Sequence, residues 1–226
     1  MSKTYAIAID GPAGAGKSTI ARRLAAELGY HYVDTGAIYR TVAYFLNLWG
    51  ISPKDADGVN RYIDELTLDI DYDEEGRQHM LMNGIDVTDE IRTPEISQKA
   101  SVVSAYGAVR DMRLDMQRDV AKQYNVIMDG RDIGTVVLPQ ADVKIFLTAA
   151  PEVRAKRRLD EMLAKGQKGD FRQVLKDIQQ RDYQDTHREI APLKMAEDAV
   201  KLDTSELNID EVVAAIREIA GKKIPL

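Results

Sequence analysis

Gly11, Pro12, Ala13, Gly14, Ala15, Gly16, Lys17 and Ser18, followed by Thr19, form the stretch of the chain richest in chemistry. The first eight match G-x-x-x-x-G-K-[ST], a loop whose glycines let backbone N–H groups turn inward onto phosphate oxygens. In that pattern the Lys17 ammonium reaches the β- and γ-phosphates, and the Ser18 hydroxyl is a ligand for Mg²⁺. The chemistry needs a strand before the loop and a helix after it. Tyr5 to Ile9 is an apolar run that stops at Asp10 and Gly11, and reads as a buried strand. From Ser18 onward, Ile20, Ala21, Leu24 and Leu28 recur at helical spacing, with Gly29 placed as a C-terminal cap. The helix points its positive dipole end at the same anion. Loop, strand and helix together predict a nucleoside triphosphate site.

The loop does not say what becomes of the phosphate. A guanine reader of the Asn-Lys-x-Asp type is absent, because the asparagines are followed by Leu, Arg, Gly, Val and Ile. The arginines are more informative. Arg40 follows Asp34-Thr35-Gly-Ala-Ile-Tyr39, just after a second strand candidate. Arg131 and Asp132 follow a third, at the edge where open α/β sheets bind ligands. Arg181, Asp185 and Arg188 stand four and three apart, on one face if that segment is helical. Guanidinium groups grip phosphate in bidentate fashion and stay charged at any physiological pH. Asp129 has two readings: a second carboxylate beside the magnesium, or a turn residue in Asp129-Gly130. Arg154, Arg157 and Arg158 also have two. They share one side of a helix that lowers them over a triphosphate, with Lys165 to Asp170 as a lid loop, or they are a solvated face partnered by Glu152 and Glu161.

The elements that must carry these residues follow from hydrophobic patterning. Apolar runs at 30–33, 125–128, 143–147 and 199–202 alternate with helical patterns, which predicts a parallel sheet with helices on both faces. Pro151 suits a first helical position and Asn208 an N-cap. One region departs from this rhythm. Leu66, Leu68, Ile70 and Tyr72 alternate with polar residues, and Met80-Leu-Met82 runs into Asn83-Gly84, a two-residue hairpin turn, then Ile85-Asp-Val87. Residues from about 60 to 90 therefore read as an inserted antiparallel unit, after which Thr93-Pro94 opens a helical stretch reaching Gln123, divided near Gly107.

Composition limits the alternatives. The chain has 226 residues and 44% hydrophobic composition, enough for one core with a subsidiary insert. A net charge of −6 argues against a large nucleic-acid footprint. No cysteine is present, so disulfides and thiolate metal sites are excluded, and a cytoplasmic location is expected. No eighteen-residue apolar stretch predicts a membrane span, and the N-terminus lacks the pattern of a signal peptide. His31, His79 and His187 are scattered without metal-ligand spacing. No heptad appears, so a monomer is expected.

Taken in order, Ile9 to Thr19, Asp34-Thr-Gly-Ala-Ile-Tyr-Arg40, Asp129-Gly-Arg-Asp-Ile-Gly-Thr-Val-Val137, Lys144-Ile-Phe-Leu147 and Arg181-Asp-x-x-Asp185-x-x-Arg188-x-x-x-Pro192-Leu resemble the bacterial cytidylate kinase family in its longer form. The resemblance covers nearly the whole chain. It implies a three-layer α/β fold of the P-loop NTPase type, with a five-stranded parallel sheet flanked by helices, a small antiparallel β insert in the domain that binds the monophosphate, and a helical lid. It implies core segments at 1–36, 119–153 and 186–226, a monophosphate-binding domain at 37–118, and a lid with flanking helices at 154–185. It implies transfer of phosphate from ATP, with Mg²⁺, to CMP or dCMP. Carried over residue by residue, Thr35, Arg40, Arg131 and Arg188 hold the acceptor phosphate, Ser101, Arg110 and Asp132 read the cytosine edge, Arg181 and Asp185 contact the sugar, and Arg154, Arg157 and Arg158 belong to the lid. Lys17, Arg131 and Arg188 are the expected catalytic residues. A kinase for UMP or another small acceptor, and a non-catalytic nucleotide switch, stay open on the residues alone.

Overall fold

The computed structural model describes residues 3–226. Its elements, in chain order, are β1 (Ala6–Asp10), α1 (Lys17–Leu28), β2 (His31–Asp34), α2 (Thr35–Leu48), α3 (Ala56–Tyr62), β3 (Leu68–Tyr72), β4 (Gln78–Met82), β5 (Ile85–Asp86), α4 (Pro94–Val103), α5 (Gly107–Gln123), β6 (Val126–Gly130), β7 (Val143–Thr148), α6 (Pro151–Ala164), α7 (Phe171–His187), β8 (Val200–Asp203) and α8 (Ile209–Gly221). Five strands form one parallel sheet in the order β2-β6-β1-β7-β8. The three central strands read as largely apolar runs, interrupted in β7 by the buried Lys144, because both faces of the sheet are covered. On one face Ile7, Ile9, Ile127 and Ile145 meet α1 and α8 through Ile20, Leu24, Val213 and Ile216. On the other, Ala8, Val33, Val126 and Met128 pack with Ile133, Val137 and, from α5, Leu114 and Val120.

The parallel register aligns the strand ends that matter. Asp10 lies opposite Gly130 and Asp34 opposite Asp129, so the carboxyl ends of β1, β2 and β6 finish at one edge. There the chain turns from β1 into α1, from β2 into α2, and from β6 into a π-helical turn at Ile133–Val137 that periodicity did not announce.

The remaining strands, β3-β4-β5, form the expected antiparallel sheet. Asn83 and Gly84 take φ values of 50° and 79° between β4 and β5, as a primed hairpin turn requires. Val59, Met80, Met82, Val87, Ile96 and Val103 join Ile38, Val42 and Phe45 of α2 in a separate hydrophobic cluster. The N-caps are those the sequence predicts: Thr93 Oγ1 accepts from Ile96 N at 3.2 Å, and Asn208 forms a capping box with Glu211. Among the described residues no helix is long and apolar enough to cross a bilayer.

Candidate active site

The glycine loop wraps the carboxyl end of β1. Gly11 sits at φ 150°, and a Cβ there would lie 1.9 Å from the Leu147 carbonyl oxygen, so only glycine fits between β1 and β7. Gly16, left-handed at φ 88°, hands the loop to α1. Lys17 is buried, and its Nζ donates to Pro12 O at 2.8 Å across the loop. Burial, aided by the nearby Arg131 guanidinium, pulls its ammonium down to about 7. Ser18 Oγ donates to Asp129 Oδ2 at 2.9 Å, and Tyr32 OH to Asp129 Oδ1 at 2.7 Å. Burial and then the Asp34 carboxylate push Asp129 above the usual carboxylate range, against the pull of Lys17. The Asp129 carboxylate thus faces the loop serine. Thr19 is exposed on the first turn of α1.

Beside the loop the arginines from distant segments converge. Arg40 Nη2 binds Asp34 Oδ2 at 2.8 Å, and Thr35 Oγ1 donates to Asp129 O at 2.7 Å. Burial opposes ionisation of Asp34, but Arg40 outweighs it and holds the carboxyl low. Arg131 Nε binds Asp185 Oδ2 at 2.8 Å. Burial likewise works against Asp185, and Arg131 and Arg181 overcome it, keeping its carboxyl below the ordinary range. Burial, then Arg131, pulls Arg181 down to about 10. Arg188 is not on the α7 face with Arg181 and Asp185. It caps the helix in an extended conformation, because α7 ends at His187. Its Nε donates to Ala191 O at 2.7 Å, which turns the guanidinium inward.

That inward turn brings Arg188 Nη2 to 3.6 Å from Asp132 Oδ1, while Arg110 donates to Asp132 Oδ2. The side chains of Arg110, Asp132 and Arg188 are all nearly closed to solvent. Arg110 Nη1 also holds Ser104 O at 2.9 Å, and Arg188 Nη1 reaches Ser104 Oγ at 3.4 Å. Ser101 lies one turn earlier on α4, half-buried, with its carbonyl accepting from Ser104 Oγ. Arg40 Nε, Arg181 Nε and Arg188 Nη2 are buried N–H donors that, among the described residues, have no hydrogen-bond partner. Such donors are costly unless an anion or other acceptor meets them.

The α6 arginines lie within one arc of the helix, as their spacing of three and four predicts, but their long side chains take different partners. Arg154 turns to the glycine loop and α7, donating to Ala13 O at 3.0 Å and gripping Asp182 through both terminal nitrogens at 2.9 and 2.6 Å. Arg157 instead binds Thr204 O at 2.6 Å beyond β8. Arg158 is half exposed and pairs with Glu161 at 3.4 Å, one of the partners of the solvated-face reading. It also lines a small cavity of about 90 Å³ with Arg92, Pro94 and Ser97 of the region between β5 and α5.

Sequence patterning missed several participants. Asp182, Ser104 and Thr204 are ordinary polar residues until the fold brings them to an arginine. Asp10 is the clearest case: its two carboxylate oxygens accept from Ile133 N at 2.8 Å and Gly134 N at 2.7 Å. Burial pushes its carboxyl up to about 6, and these two amides pull the other way. Asp10 thus ties the π turn that follows Arg131 and Asp132 to the end of β1. Asp10→Ala leaves two buried amides unpaired, and an expected loss of about 1–3 kcal/mol should appear in urea unfolding. An unchanged midpoint would show that water serves those amides equally well.

Known proteins resemble this chain along nearly its whole length. The family model for cytidylate kinase matches residues 7–222. The cytidylate kinase of Lactobacillus johnsonii is 50% identical over 217 residues, covering 96% of this chain and 94% of that protein. That of Carboxydothermus hydrogenoformans is 49% identical, covering 96% and 97%. A crystal structure of an uncharacterized protein from Eubacterium ventriosum superposes with a TM-score of 0.51 at 11% identity, over 97% of this chain and 99% of the other, which speaks to the fold alone. With a family match from β1 into the residues that follow α8, and relatives half identical along nearly their whole length, the chain belongs to the cytidylate kinase family.

Proposed function

We propose that this protein transfers the γ-phosphoryl group of ATP to the phosphate of CMP and dCMP, giving ADP and CDP or dCDP. The observation that carries the choice of acceptor is Asp132, a buried carboxylate held between Arg110 and Arg188 beside a second set of phosphate-gripping arginines. A site with two anion-binding halves suits two phosphorylated ligands. Cytosine offers an amino donor, which a carboxylate accepts, and ring-nitrogen and carbonyl acceptors, which Arg110 and a hydroxyl such as that of Ser101 satisfy. Uracil reverses the pattern at two of these atoms and leaves buried groups unpaired, at about 1–3 kcal/mol each.

In this reading the loop amides and Lys17 hold the donor phosphates, while Thr35, Arg40, Arg131 and Arg188 hold the acceptor phosphate and Arg181 and Asp185 meet the sugar. The acceptor oxygen is ionised near neutral pH, so no strong general base is needed. The chain's contribution is alignment and neutralisation of charge by Lys17, Arg131 and Arg188. The α6–α7 hairpin, residues 154–185, serves as lid over the donor site, with Arg154 seated on the loop and Arg158 at the rim; residues 37–118 form the acceptor domain. Closure of such a lid excludes water, which would otherwise take the phosphoryl group.

Ser18 and Asp129 place a hydroxyl and a carboxylate in contact, the hard oxygen donors that magnesium takes. Among the described residues no cluster of three His, Cys, Asp or Glu could hold a metal alone, so phosphate and water oxygens would complete its shell. When bound, magnesium supplies further neutralisation of the transferring phosphate.

The test is ADP production from ATP and Mg²⁺ with CMP, dCMP, UMP, AMP, GMP and shikimate as separate acceptors. Rapid turnover with CMP and dCMP, and turnover lower by about 10²-fold or more with the others, is the expected result. Fast turnover of a different acceptor would remove the cytosine-reading role from Ser101, Arg110 and Asp132.

A further inference from the structure

The small antiparallel sheet touches the active site through the free edge of β2. Among the described residues this strand pairs only with β6. His31 N donates to Asn125 O on that side, so by strand alternation Tyr32 and Asp34 direct their backbone groups away from the parallel sheet. Among the described residues no strand covers them there; two side chains do. Tyr72 OH donates to Tyr32 O at 3.2 Å. Gln78 Oε1 accepts from Asp34 N at 2.7 Å, and its Nε2 lies 3.4 Å from Asp34 O and 3.0 Å from Met80 Sδ. Tyr72 and Gln78 are directly opposed in the β3–β4 register, so they act as two prongs of one clamp. Gln78 is 6% exposed, and a buried amide that engages both backbone groups of one residue holds it closely.

The residue so held is the one that sets the acceptor arginine. Asp34 ends β2, caps α2 by accepting from Ala37 N at 3.0 Å, and binds Arg40 Nη2 at 2.8 Å with its other oxygen. We propose that Gln78 is a positioning residue for the acceptor phosphate, acting through Asp34 on Arg40. The inference rests on the reading of Arg40 as an acceptor-phosphate ligand. It gives the β insert a task in the reaction: bracing the β2 edge from which the acceptor side of the site is built.

The experiment compares wild type, Gln78→Met, Arg40→Ala and the double variant, measuring CMP affinity by calorimetry and KM for CMP and ATP. Methionine keeps the length of the side chain and loses both amide contacts. Gln78→Met is expected to weaken CMP about tenfold and to leave KM for ATP within about twofold. In the Arg40→Ala background it is expected to add less than about twofold, because residues acting through one group are not additive. Tyr72→Phe removes only the second prong, is expected to weaken CMP about two- to threefold, and serves if Gln78→Met does not fold. A merely structural clamp would lower the melting temperature and leave CMP affinity in place, or weaken CMP equally with and without Arg40; either result overturns the inference. CMP affinity that falls in Arg40→Ala but not in Gln78→Met or Tyr72→Phe overturns it and leaves the reading of Arg40 intact. Affinity that falls in none of them overturns both.

Discussion

Lys17→Ala is expected to lower turnover by at least about 10³-fold while the protein stays folded, because in the proposed mechanism it removes a charge that stabilises the transferring phosphate and little else. Among the described residues Lys17 Nζ has one hydrogen-bond partner, the carbonyl of Pro12 in its own loop. Among the described residues no carboxylate lies within ion-pair distance of it. Burial pulls the ammonium down to about 7, so the site holds this cation at a cost that a bound phosphate reverses. Alanine leaves no unpaired charge behind, and Gly11, Gly16 and the first turn of α1 keep the loop's path. The check is kcat at saturating ATP and CMP, with circular dichroism for the fold and calorimetry for CMP. A binding-only lysine would raise KM for ATP and spare kcat; turnover within about tenfold of wild type would remove Lys17 from the transfer step.

What was legible in the chain was what depends on neighbours in sequence. The glycine loop, the Asn83-Gly84 turn and the caps at Thr93 and Asn208 are local rules, and each appears where spacing predicts it. The central strands β1 and β6 were legible because both faces are buried, which writes them as apolar runs up to their carboxyl ends. Asp10 was opaque because its partners lie 123 and 124 residues away. Asp182 was opaque because only the α6–α7 hairpin brings it to Arg154, 28 residues earlier. Arg154, Arg157 and Arg158 show the limit from the other side. Helical spacing put them on one flank, but side chains this long choose partners by what surrounds the helix, and three different segments surround α6. Arg188 departs for a related reason: one residue past the helix end, the i, i+3 rule no longer governs it.

The same separation in sequence makes Asp132 the residue whose loss is expected to do most damage to stability. Its carboxylate lies between Arg110 from α5 and Arg188 from beyond α7, and all three side chains are nearly excluded from water. Arg113, wholly buried, stacks 3.9 Å over the Tyr39 ring, and Asp132 is the acidic charge that supports it. Burial pulls Arg113 down to about 10 even so. Asp132→Ala therefore leaves buried guanidinium groups without their counter-charge, and breaking such a pair from one side costs about 3–5 kcal/mol. Against a total stability of about 5–15 kcal/mol, that loss should be plain in the urea midpoint of the ligand-free protein. Asp132→Asn keeps the shape and one acceptor oxygen but turns an amide donor towards arginines, so it separates recognition from folding. On the proposed reading of Asp132 as the acceptor for the cytosine amino group, its kcat/KM for CMP is expected to fall by about 10²-fold or more and that for UMP by much less. Asp132→Asn that folds and keeps the wild-type ratio of CMP to UMP would move base selection elsewhere. Asp132→Ala with unchanged stability would mean that water already solvates Arg110 and Arg188.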